Sequence, residues 1–510
     1  MLSSVISGAV FGVDAYRVDV EVDVARALPS FTVVGLPDNA VKESKDRVRS
    51  AIRNSGYAFP PQRITVNLAP ADVKKEGAAF DLPMALVILA TDPDLGLRGL
   101  ERVLFLGELS LDGRLRPVRG VLPIALEARR LGLEAICVPR ENAAEAAVVK
   151  GLTVHAAGAL AEVVEGLRGG SLPCFHADLS DLFGRRAEYD VDFGEVHGQG
   201  HVKRALEVAA AGGHNVFLVG PPGAGKTMLA RRLPTILPEM TWEEALETSR
   251  IYSVMGVQDG TGPLVVRRPF RAPHHTISDA GLIGGGTIPR CGEISLAHNG
   301  VLFLDELPEF KKHVLEVLRQ PLEDGEVTIA RASTSVTFPA RFMLVAAMNP
   351  CPCGYFGDPH HECTCNPSGI RKYRARVSGP LLDRFDLHVE APAVRYREMA
   401  GGGGDETSAA VRERVARARA LQAERYAGRR FHCNAHLSPA AVRRFCSPAA
   451  DARQLLEHAM DRLGLSARAY TRALKVARTI ADLDGAGEVA RVHVLEALQF
   501  RRAASVLQRE

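Results

Sequence analysis

The chain has 510 residues, of which 46% are hydrophobic and 24% charged, and its formal net charge is +3. This length is enough for roughly three domains of ~100–200 residues each, and the near-neutral balance excludes a polycationic chain. The sequence has no run of about 18 apolar residues and no basic stretch at its start, so neither a membrane span nor a signal peptide is expected.

Charge and cysteine are unevenly distributed. Residues 408–510 contain 19 Arg and Lys against 10 Asp and Glu, which fits either an anionic partner such as nucleic acid or a solvated Arg-rich helical face; charge alone favours the second. The nine cysteines are an odd number, and four of them lie within 351–365. This pattern indicates a reducing, cytoplasmic location rather than a secreted disulfide framework.

Residues 1–168 mix strand and helix patterns, which predicts an α+β domain. Alternating or continuous apolar runs predict strands at Val18–Val22, Thr32–Val34, Arg63–Leu68, Val103–Leu109 and Ala135–Pro139. Helical periodicity predicts helices at Ala40–Ser55, Leu82–Ala90 and Pro123–Leu131.

Three further segments follow. Residues 169–194 have no steady periodicity and are predicted to be a linker. Apolar strands alternate with helices over 195–400, as in a parallel sheet with crossover helices. A glycine run at 401–404 marks the next boundary, and 408–510 are helical in pattern and predict a small helical domain.

A phosphate-binding loop is predicted at the start of the third segment. The apolar strand Asn215–Gly220 leads into the pattern G-x-x-x-x-G-K-T, and a helix follows over Met228–Leu233. Such a loop turns backbone N–H groups towards phosphate oxygens, its lysine reaches the β- and γ-phosphates and its threonine ligates Mg²⁺. The predicted ATP-binding residues are Gly220, Pro221, Pro222, Gly223, Ala224, Gly225, Lys226 and Thr227.

Two later strands end in polar residues suited to ATP hydrolysis. The buried-type strand from Val301 ends at Asp305, predicted to be a Mg²⁺ ligand, and Glu306, predicted to be the base that polarises the attacking water. The apolar strand Phe342–Met348 ends at Asn349, whose amide is predicted to orient that water. Arg384 lies further on and is a candidate arginine finger for a neighbouring subunit's ATP; standing alone it fits a surface ion pair better.

This ordered set resembles AAA+ ATPases, and the resemblance covers the whole of 195–400. The 79 positions from Lys226 to Asp305 leave room for an insertion over Arg271–Gly292, which resembles the helix-2-insert branch that includes magnesium chelatase subunits. In that branch a hairpin such as Glu326–Arg341 points into a central pore, which makes Arg331 a candidate DNA contact or an ordinary exposed turn residue. In the helical lid, the family's second sensor maps to Arg468, with Arg472 one turn on as the alternative.

The first domain resembles the Lon protease catalytic domain, of the ribosomal S5 domain 2-like type, around Gly107–Gly120 and Ile136–Asn142. Lon proteases use a Ser–Lys dyad. The serine position falls near Pro83 and Met84, and the lysine position falls at Leu122. The resemblance therefore implies a scaffold without protease activity.

The cysteine-rich loop 351–365 has the spacing C-x-C, nine residues, C-x-C. Four thiolates at Cys351, Cys353, Cys363 and Cys365 can close a tetrahedral Zn²⁺ site. His360 or His361 can replace one of them, an iron–sulfur cluster is less favoured, and an unmetallated loop of reduced thiols stands beside the zinc reading with even weight.

Taken together, the architecture resembles the YifB/ComM family of magnesium chelatase-like proteins over nearly the whole chain. The resemblance implies a multi-domain α/β fold and a homo-oligomeric, hexameric ring with ATP, Mg²⁺ and single-stranded or branched DNA as ligands. It also implies branch migration that extends heteroduplex during natural transformation. The alternative is a chelatase-like ATPase that remodels a protein partner. An ATP-dependent protease and a transcription-activating AAA+ protein fit the sequence less well.

Overall fold

The computed structural model describes most of the chain, in two compact units: residues 1–186 with 241–266, and residues 187–240 with 267–510. The described ranges are 2–169, 171–176, 189–257, 262–286, 289–331, 334–393, 406–429, 431–463 and 466–508. The predicted glycine run and the middle of the predicted linker lie outside these residues. No helix in the described ranges is long and apolar enough to cross a membrane.

The N-terminal unit is built on an eight-stranded mixed sheet in the order β10-β9-β8-β5-β1-β2-β4-β3, with a separate β6–β7 pair. Its strands are β1 Leu2–Phe11, β2 Asp14–Ala25, β3 Ser30–Val34, β4 Arg63–Ala69, β5 Val103–Phe105, β6 Glu108–Leu109, β7 Leu115–Arg116, β8 Ala135–Pro139, β9 Thr153–Ala157 and β10 Cys174–Phe175. Its helices are Asn39–Asn54, Asp81–Leu89, Val121–Arg130, Ala143–Ala147, Leu160–Gly169 and Trp242–Met255.

Alternation of buried and more exposed side chains along a strand explains which face of this sheet lies against the core. In β2 the side chains of Val18, Val20 and Val22 are fully buried on one face, as a strand with one core-facing side requires. The strands and helices predicted between Val18 and Pro139 are confirmed with ends shifted by a few residues, apart from Val103–Leu109, which forms two strands, β5 and β6. The positions compared with a protease dyad, Met84 and Leu122, are fully buried apolar side chains in helices.

The helix Trp242–Met255 belongs to the N-terminal unit, although its sequence falls inside the predicted 195–400 core. It begins with a capping box between Thr241 and Glu244 and ends at Gly256, which has φ 66°. The backbone N–H of Gly120 donates to Ser253 O at 3.0 Å, and Trp242 packs against the cluster that contains Leu264. These tertiary contacts, absent from the local pattern, assign residues 241–266 to this unit.

The second unit contains a five-stranded, fully parallel sheet in the order β12-β15-β18-β11-β19, and two small antiparallel pairs, β13–β14 and β16–β17. Its strands are β11 Val216–Val219, β12 Phe270–Arg271, β13 Gly284–Gly285, β14 Arg290–Cys291, β15 Val301–Leu304, β16 Glu326–Arg331, β17 Thr334–Pro339, β18 Met343–Met348 and β19 Leu387–Glu390. The order places the carboxyl ends of β15, β18 and β11 side by side, which is where ligands bind in such sheets.

Helices cover this sheet and form the C-terminal region. They are Gly200–Gly212, Lys226–Ile236, Asp279–Leu282, Glu293–Leu296, Lys312–Glu316, Pro321–Asp324, Pro367–Arg374, Gly379–Leu382, Ser408–Arg425, Pro439–Phe445, Ala450–Leu463, Ala467–Leu483 and Arg491–Gln508. One hydrophobic cluster contains both strand residues such as Val345 and C-terminal residues such as Ile480. The helical region after 405 therefore shares its core with the sheet.

Candidate nucleotide site

The loop after β11 has the backbone shape that its glycines permit. Gly223 and Gly225 have φ of 77° and 75°, in the left-handed region that favours glycine. A Cβ at Gly220 would lie 2.1 Å from the carbonyl oxygen of Ala391, so only glycine fits there. The helix Lys226–Ile236 starts directly after Gly225, and its first N–H groups make the loop a suitable site for an anion.

Lys226 lies within this loop and is 8% exposed. Its Nζ donates to the carbonyl oxygens of Gly220 at 2.7 Å and Pro221 at 2.9 Å, and to Asn349 Oδ1 at 3.1 Å. Burial lowers the pKa of Lys226, and the nearby carboxylates of Asp305 and Glu306 oppose that shift. A buried ammonium that is bonded to neutral oxygens is poised to take an anionic partner.

Asp305 and Thr227 meet at the carboxyl end of the buried strand β15. Thr227 Oγ1 donates to Asp305 Oδ2 at 2.6 Å, and the backbone N–H of Glu306 donates to Asp305 Oδ1 at 2.9 Å. A hydroxyl and a carboxylate side by side are the oxygen ligands that Mg²⁺ takes in proteins, so these residues fit that ion.

Glu306 has a left-handed backbone, with φ 52°, and its side chain is 58% exposed. Its Oε2 lies 3.4 Å from His275 Nδ1. A non-glycine residue in this region is uncommon. His275 is a neighbour of the site that no motif predicts, and its signal in the sequence is the His-His pair in the insertion.

Two of the three arginines predicted as finger or sensor, Arg384 and Arg472, are bonded to other residues. Arg384 is buried; its Nη2 lies 2.5 Å from Glu323 Oε1, and its Nη1 and Nε donate to the carbonyl oxygens of Pro380 and Arg319. Arg472 pairs with Asp386 at 2.9 Å. Arg468 is exposed in the first turn of the helix Ala467–Leu483. The recorded partners of Arg384 and Arg472 lie outside the loop 220–227.

The four clustered cysteines come together, with all four Sγ atoms within 4.8 Å of one another. The Sγ of Cys351 lies 3.3 Å from that of Cys353 and 3.7 Å from that of Cys363, and the last two are 3.6 Å apart. Four sulfurs held at ~2.3 Å from a tetrahedral Zn²⁺ are about 3.8 Å apart, so the donor set fits that ion. His360 and His361 are exposed and are not part of the group.

The thiols of the cysteine group differ in their pKa values. A backbone hydrogen bond from Tyr355 lowers the pKa of Cys353 to about 6. For Cys363 the backbone N–H of Cys365 favours the thiolate, but burial and the neighbouring sulfurs outweigh it and raise the pKa to about 12. Adjacent thiolates repel one another, and a bound cation removes that cost.

The predicted pore hairpin is observed as β16 and β17, in antiparallel register with Arg331 opposite Thr334. The two residues between these strands lie outside the described part of the chain. Arg331 is exposed, and its guanidinium lies beside Gly285 of β13.

Comparison with known proteins shows which family the chain belongs to. Residues 192–399 match the magnesium chelatase family, subunit ChlI; residues 405–501 match the C-terminal part of that subunit, and residues 20–142 match the separate family described as subunit ChlI of Mg-chelatase. The chain is 47% identical over 511 residues to the competence protein ComM of Haemophilus influenzae, covering all of this chain and 99% of that protein. The chain belongs to the YifB/ComM family of magnesium chelatase-like proteins.

Two further relatives differ in how much of the chain they match. YifB of Escherichia coli is 44% identical over 507 residues, covering 98% of this chain and 97% of that protein. The magnesium-chelatase 38 kDa subunit of Rhodobacter capsulatus is 29% identical over 222 residues, covering 40% of this chain and 56% of the subunit. The likeness to ComM and YifB therefore spans nearly the whole chain, and the likeness to the 38 kDa chelatase subunit spans part of it. The mixed α/β unit with its C-terminal helices is the magnesium chelatase-like AAA+ fold of this family.

Proposed function

We propose that this YifB/ComM family member is a cytoplasmic, ATP-hydrolysing ring motor that acts on DNA as a branch-migration helicase. One observation carries the ATPase part, the pair of contacts at one edge of the sheet. Lys226 donates a hydrogen bond to Asn349, and its neighbour in sequence, Thr227, donates one to Asp305. Glu306 follows Asp305 directly and donates its backbone N–H to that carboxylate. These are the groups that ATP hydrolysis needs, although 123 positions separate the ends of the set.

In this proposal the loop Gly220–Thr227 holds the phosphates, and Lys226 exchanges its loop carbonyls for phosphate oxygens. Thr227 and Asp305 would hold Mg²⁺, which would supply positive charge beside the phosphates. Glu306 accepts a proton from the water that attacks the γ-phosphorus, and the bond from that phosphorus to the β–γ bridging oxygen breaks. Asn349 orients the water and stays in contact with Lys226.

We further propose that Arg384 stabilises the transition state on a neighbouring subunit's ATP. To reach that ATP, the Arg384 guanidinium must leave the carboxylate of Glu323 and bind a phosphate instead. Both partners are anions. A mixing experiment tests the idea: Arg384→Ala subunits keep an intact loop, and Lys226→Ala subunits keep Arg384. Mixed rings should regain ATPase activity that neither variant has alone; no recovery on mixing would show that Arg384 does not act in trans. Arg468 is proposed as the lid sensor, because Arg472 is already paired with Asp386.

The DNA part of the proposal rests on two supports. The relative from Haemophilus influenzae is named a competence protein, and the hairpin β16–β17 carries the exposed Arg331 near its tip. DNA uptake leaves single strands and branched joints, which are suitable substrates for a ring that draws one strand through its pore. The N-terminal unit is proposed to be a Lon-like scaffold without a catalytic dyad, since its two dyad positions hold buried apolar residues.

The deciding experiment measures ATP turnover with and without single-stranded and branched DNA, using Lys226→Ala as the blank. Stimulation by DNA with strand exchange in the same tube supports the motor. Robust hydrolysis that DNA does not change favours the second candidate, a chelatase-like remodeller of a protein partner, to which the partial match with the 38 kDa subunit points.

A further inference from the structure

The C-terminal helical region holds a cysteine and a histidine in direct contact. The Sγ of Cys433 lies 3.3 Å from Nδ1 of His436, three residues further along the chain. Cys433 is 2% exposed, whereas His436 is exposed, so the pair joins an enclosed sulfur to an imidazole that reaches solvent. Neither residue belongs to the proposed nucleotide site or to the cysteine-rich loop 351–365.

Side chains that carry or can take a positive charge face this sulfur from several elements. Besides His436, they are Arg419, His214 and Lys475, each from a different helix or loop. Burial alone would raise the pKa of the Cys433 thiol, but the charges of His436 and Arg419 outweigh burial and lower the pKa to about 5. The thiolate in turn raises the pKa of His436. At neutral pH the pair is therefore a thiolate beside an imidazolium.

The space around the sulfur is closed on one side. A Cβ at Gly213, the residue that follows the helix Gly200–Gly212, would lie 2.8 Å from Cys433 Sγ and 3.3 Å from Arg419 Nη2. Arg419 is itself held in place, since its Nε and Nη2 donate to the carbonyl oxygen of Ala210 at 3.2 and 3.1 Å. An atom that is added to the sulfur must therefore take the side on which the imidazole lies.

From this arrangement we infer that Cys433 is a modification site, a thiolate that small hydroperoxides oxidise to a sulfenic acid with His436 as the proton donor. The sulfur attacks one peroxide oxygen, so that an S–O bond forms, the O–O bond breaks and two electrons pass from the sulfur to the peroxide. The leaving hydroxide takes the imidazolium proton and becomes water, and His436 is left neutral. The new oxygen replaces the contact between Cys433 and His436. This reactivity does not depend on the proposed motor activity.

The test treats the reduced, full-length protein with hydrogen peroxide at pH 6 and pH 8, in the presence of excess dimedone, which traps sulfenic acids. The tryptic peptides 431–443 and 169–185 contain one cysteine each, Cys433 and Cys174, so mass spectrometry follows the two thiols separately. Cys174 is the reference within each sample because it is exposed. Its neighbouring imidazole, His155 at 3.9 Å, has a pKa that burial lowers, so it is not a cationic partner at neutral pH.

Two variants complete the test. His436→Gln removes the imidazolium, and His432→Gln is the matched control. His432 is also an exposed histidine, directly before Cys433 in the chain, and among the described residues no contact between it and the thiol is recorded. Thermal unfolding checks that both variants are folded.

The rate of labelling at Cys433 should differ by less than about twofold between pH 6 and pH 8, because the thiolate is already formed at pH 6. His436→Gln should slow the reaction at pH 6 by about 5–10-fold, since the loss of thiolate exceeds the gain in nucleophilicity that comes with a higher pKa. His432→Gln should react as the wild type does.

Three results would overturn the inference. The first is labelling of Cys174 without any at Cys433, which would show that peroxide does not reach the enclosed sulfur. The second is a wild-type rate at Cys433 that rises about tenfold or more from pH 6 to pH 8, as it does for a thiol without a cationic partner. The third is a folded His436→Gln variant that reacts at the wild-type rate at pH 6.

Discussion

Asp386 is the buried anion that joins the parallel sheet to the C-terminal helices, and its replacement by Asn should cost considerable stability. It is 5% exposed. Its Oδ1 accepts from Arg472 Nη1 at 2.9 Å, and its Oδ2 accepts the backbone N–H of Asn215 at 3.1 Å and lies 3.5 Å from His214 Nδ1. Burial alone would raise the pKa of Asp386, but the charges of Arg472 and His214 outweigh it and hold the pKa below its usual range.

The expected loss of stability follows from the environment of Arg472 once Asp386→Asn has removed its anionic partner. Removing one partner of a buried ion pair costs about 3–5 kcal/mol. The Asn side chain keeps the shape and an acceptor oxygen, and the Arg472 side chain is 23% exposed and reaches some water. We therefore expect a loss at or just below the lower limit of that range, about 2–3 kcal/mol in the free energy of unfolding at pH 7.

The stability that the Asp386 carboxylate contributes should fall as the pH is lowered. Because the folded pKa of Asp386 is lowered, its carboxylate stabilises the fold above the unfolded pKa of about 3.9, and that stability is lost as the pH falls towards the folded pKa. The difference in free energy of unfolding between wild type and Asp386→Asn, here called the gap, should thus be largest at pH 7 and smaller at about pH 3.5.

Urea unfolding followed by far-UV circular dichroism measures this gap, and Asp461→Asn, at an exposed helix position, is the control. Trp242 is the single tryptophan and belongs to the other compact unit, so its fluorescence follows that unit separately. If Asp386→Asn were as stable as Asp461→Asn, or if the gap were the same at both pH values, the reasoning about this buried carboxylate would be refuted.

Three further predictions concern the site. Glu306→Gln should keep ATP binding and slow turnover by about 10²–10⁴-fold, the range for loss of a general base; normal turnover would contradict the role. Native protein should contain one Zn²⁺ per chain by elemental analysis, and Cys351→Ser with Cys353→Ser should remove it; zinc-free native protein would end that proposal. Gly220→Ala should abolish nucleotide binding because its Cβ clashes with backbone, whereas Gly379→Ala, which meets nothing within 4 Å, should bind ATP as the wild type does.

Local sequence patterns were sufficient for most elements near the site. The apolar run before Asp305 predicts the buried strand observed at Val301–Leu304, and the run before Asn349 predicts the strand observed at Met343–Met348. Both patterns are set by residues adjacent in sequence, which is why they can be seen without a structure. The spacing of the four cysteines allows both a metal site and an unmetallated loop, and the structure brings the four sulfurs together.

Contacts between distant residues could not be predicted in this way. The segment Cys174–Phe175 lies in the predicted linker but pairs with β9. A strand of two residues has no periodicity, so the sequence pattern does not reveal it. The helix Trp242–Met255 has the sequence of an ordinary crossover helix, and only its neighbours assign it to the N-terminal unit. The pairing of Arg384 with Glu323 joins residues 61 positions apart, and no spacing rule connects them.

The cysteine loop and the nucleotide loop are mechanically joined, which ties the metal proposal to the ATPase proposal. Cys351 follows Asn349 by two residues, and Asn349 bonds to Lys226. On the other side, a Cβ at Gly354 would lie 2.5 Å from Pro222 Cδ, so the loops touch there as well. A metal that fixes the four sulfurs would thus also fix the Asn349 amide beside Lys226 and the Gly354 backbone beside Pro222. Loss of the metal should weaken ATP binding before it unfolds the sheet, since the sheet's own core lies elsewhere, in the cluster around Val345 and Leu218.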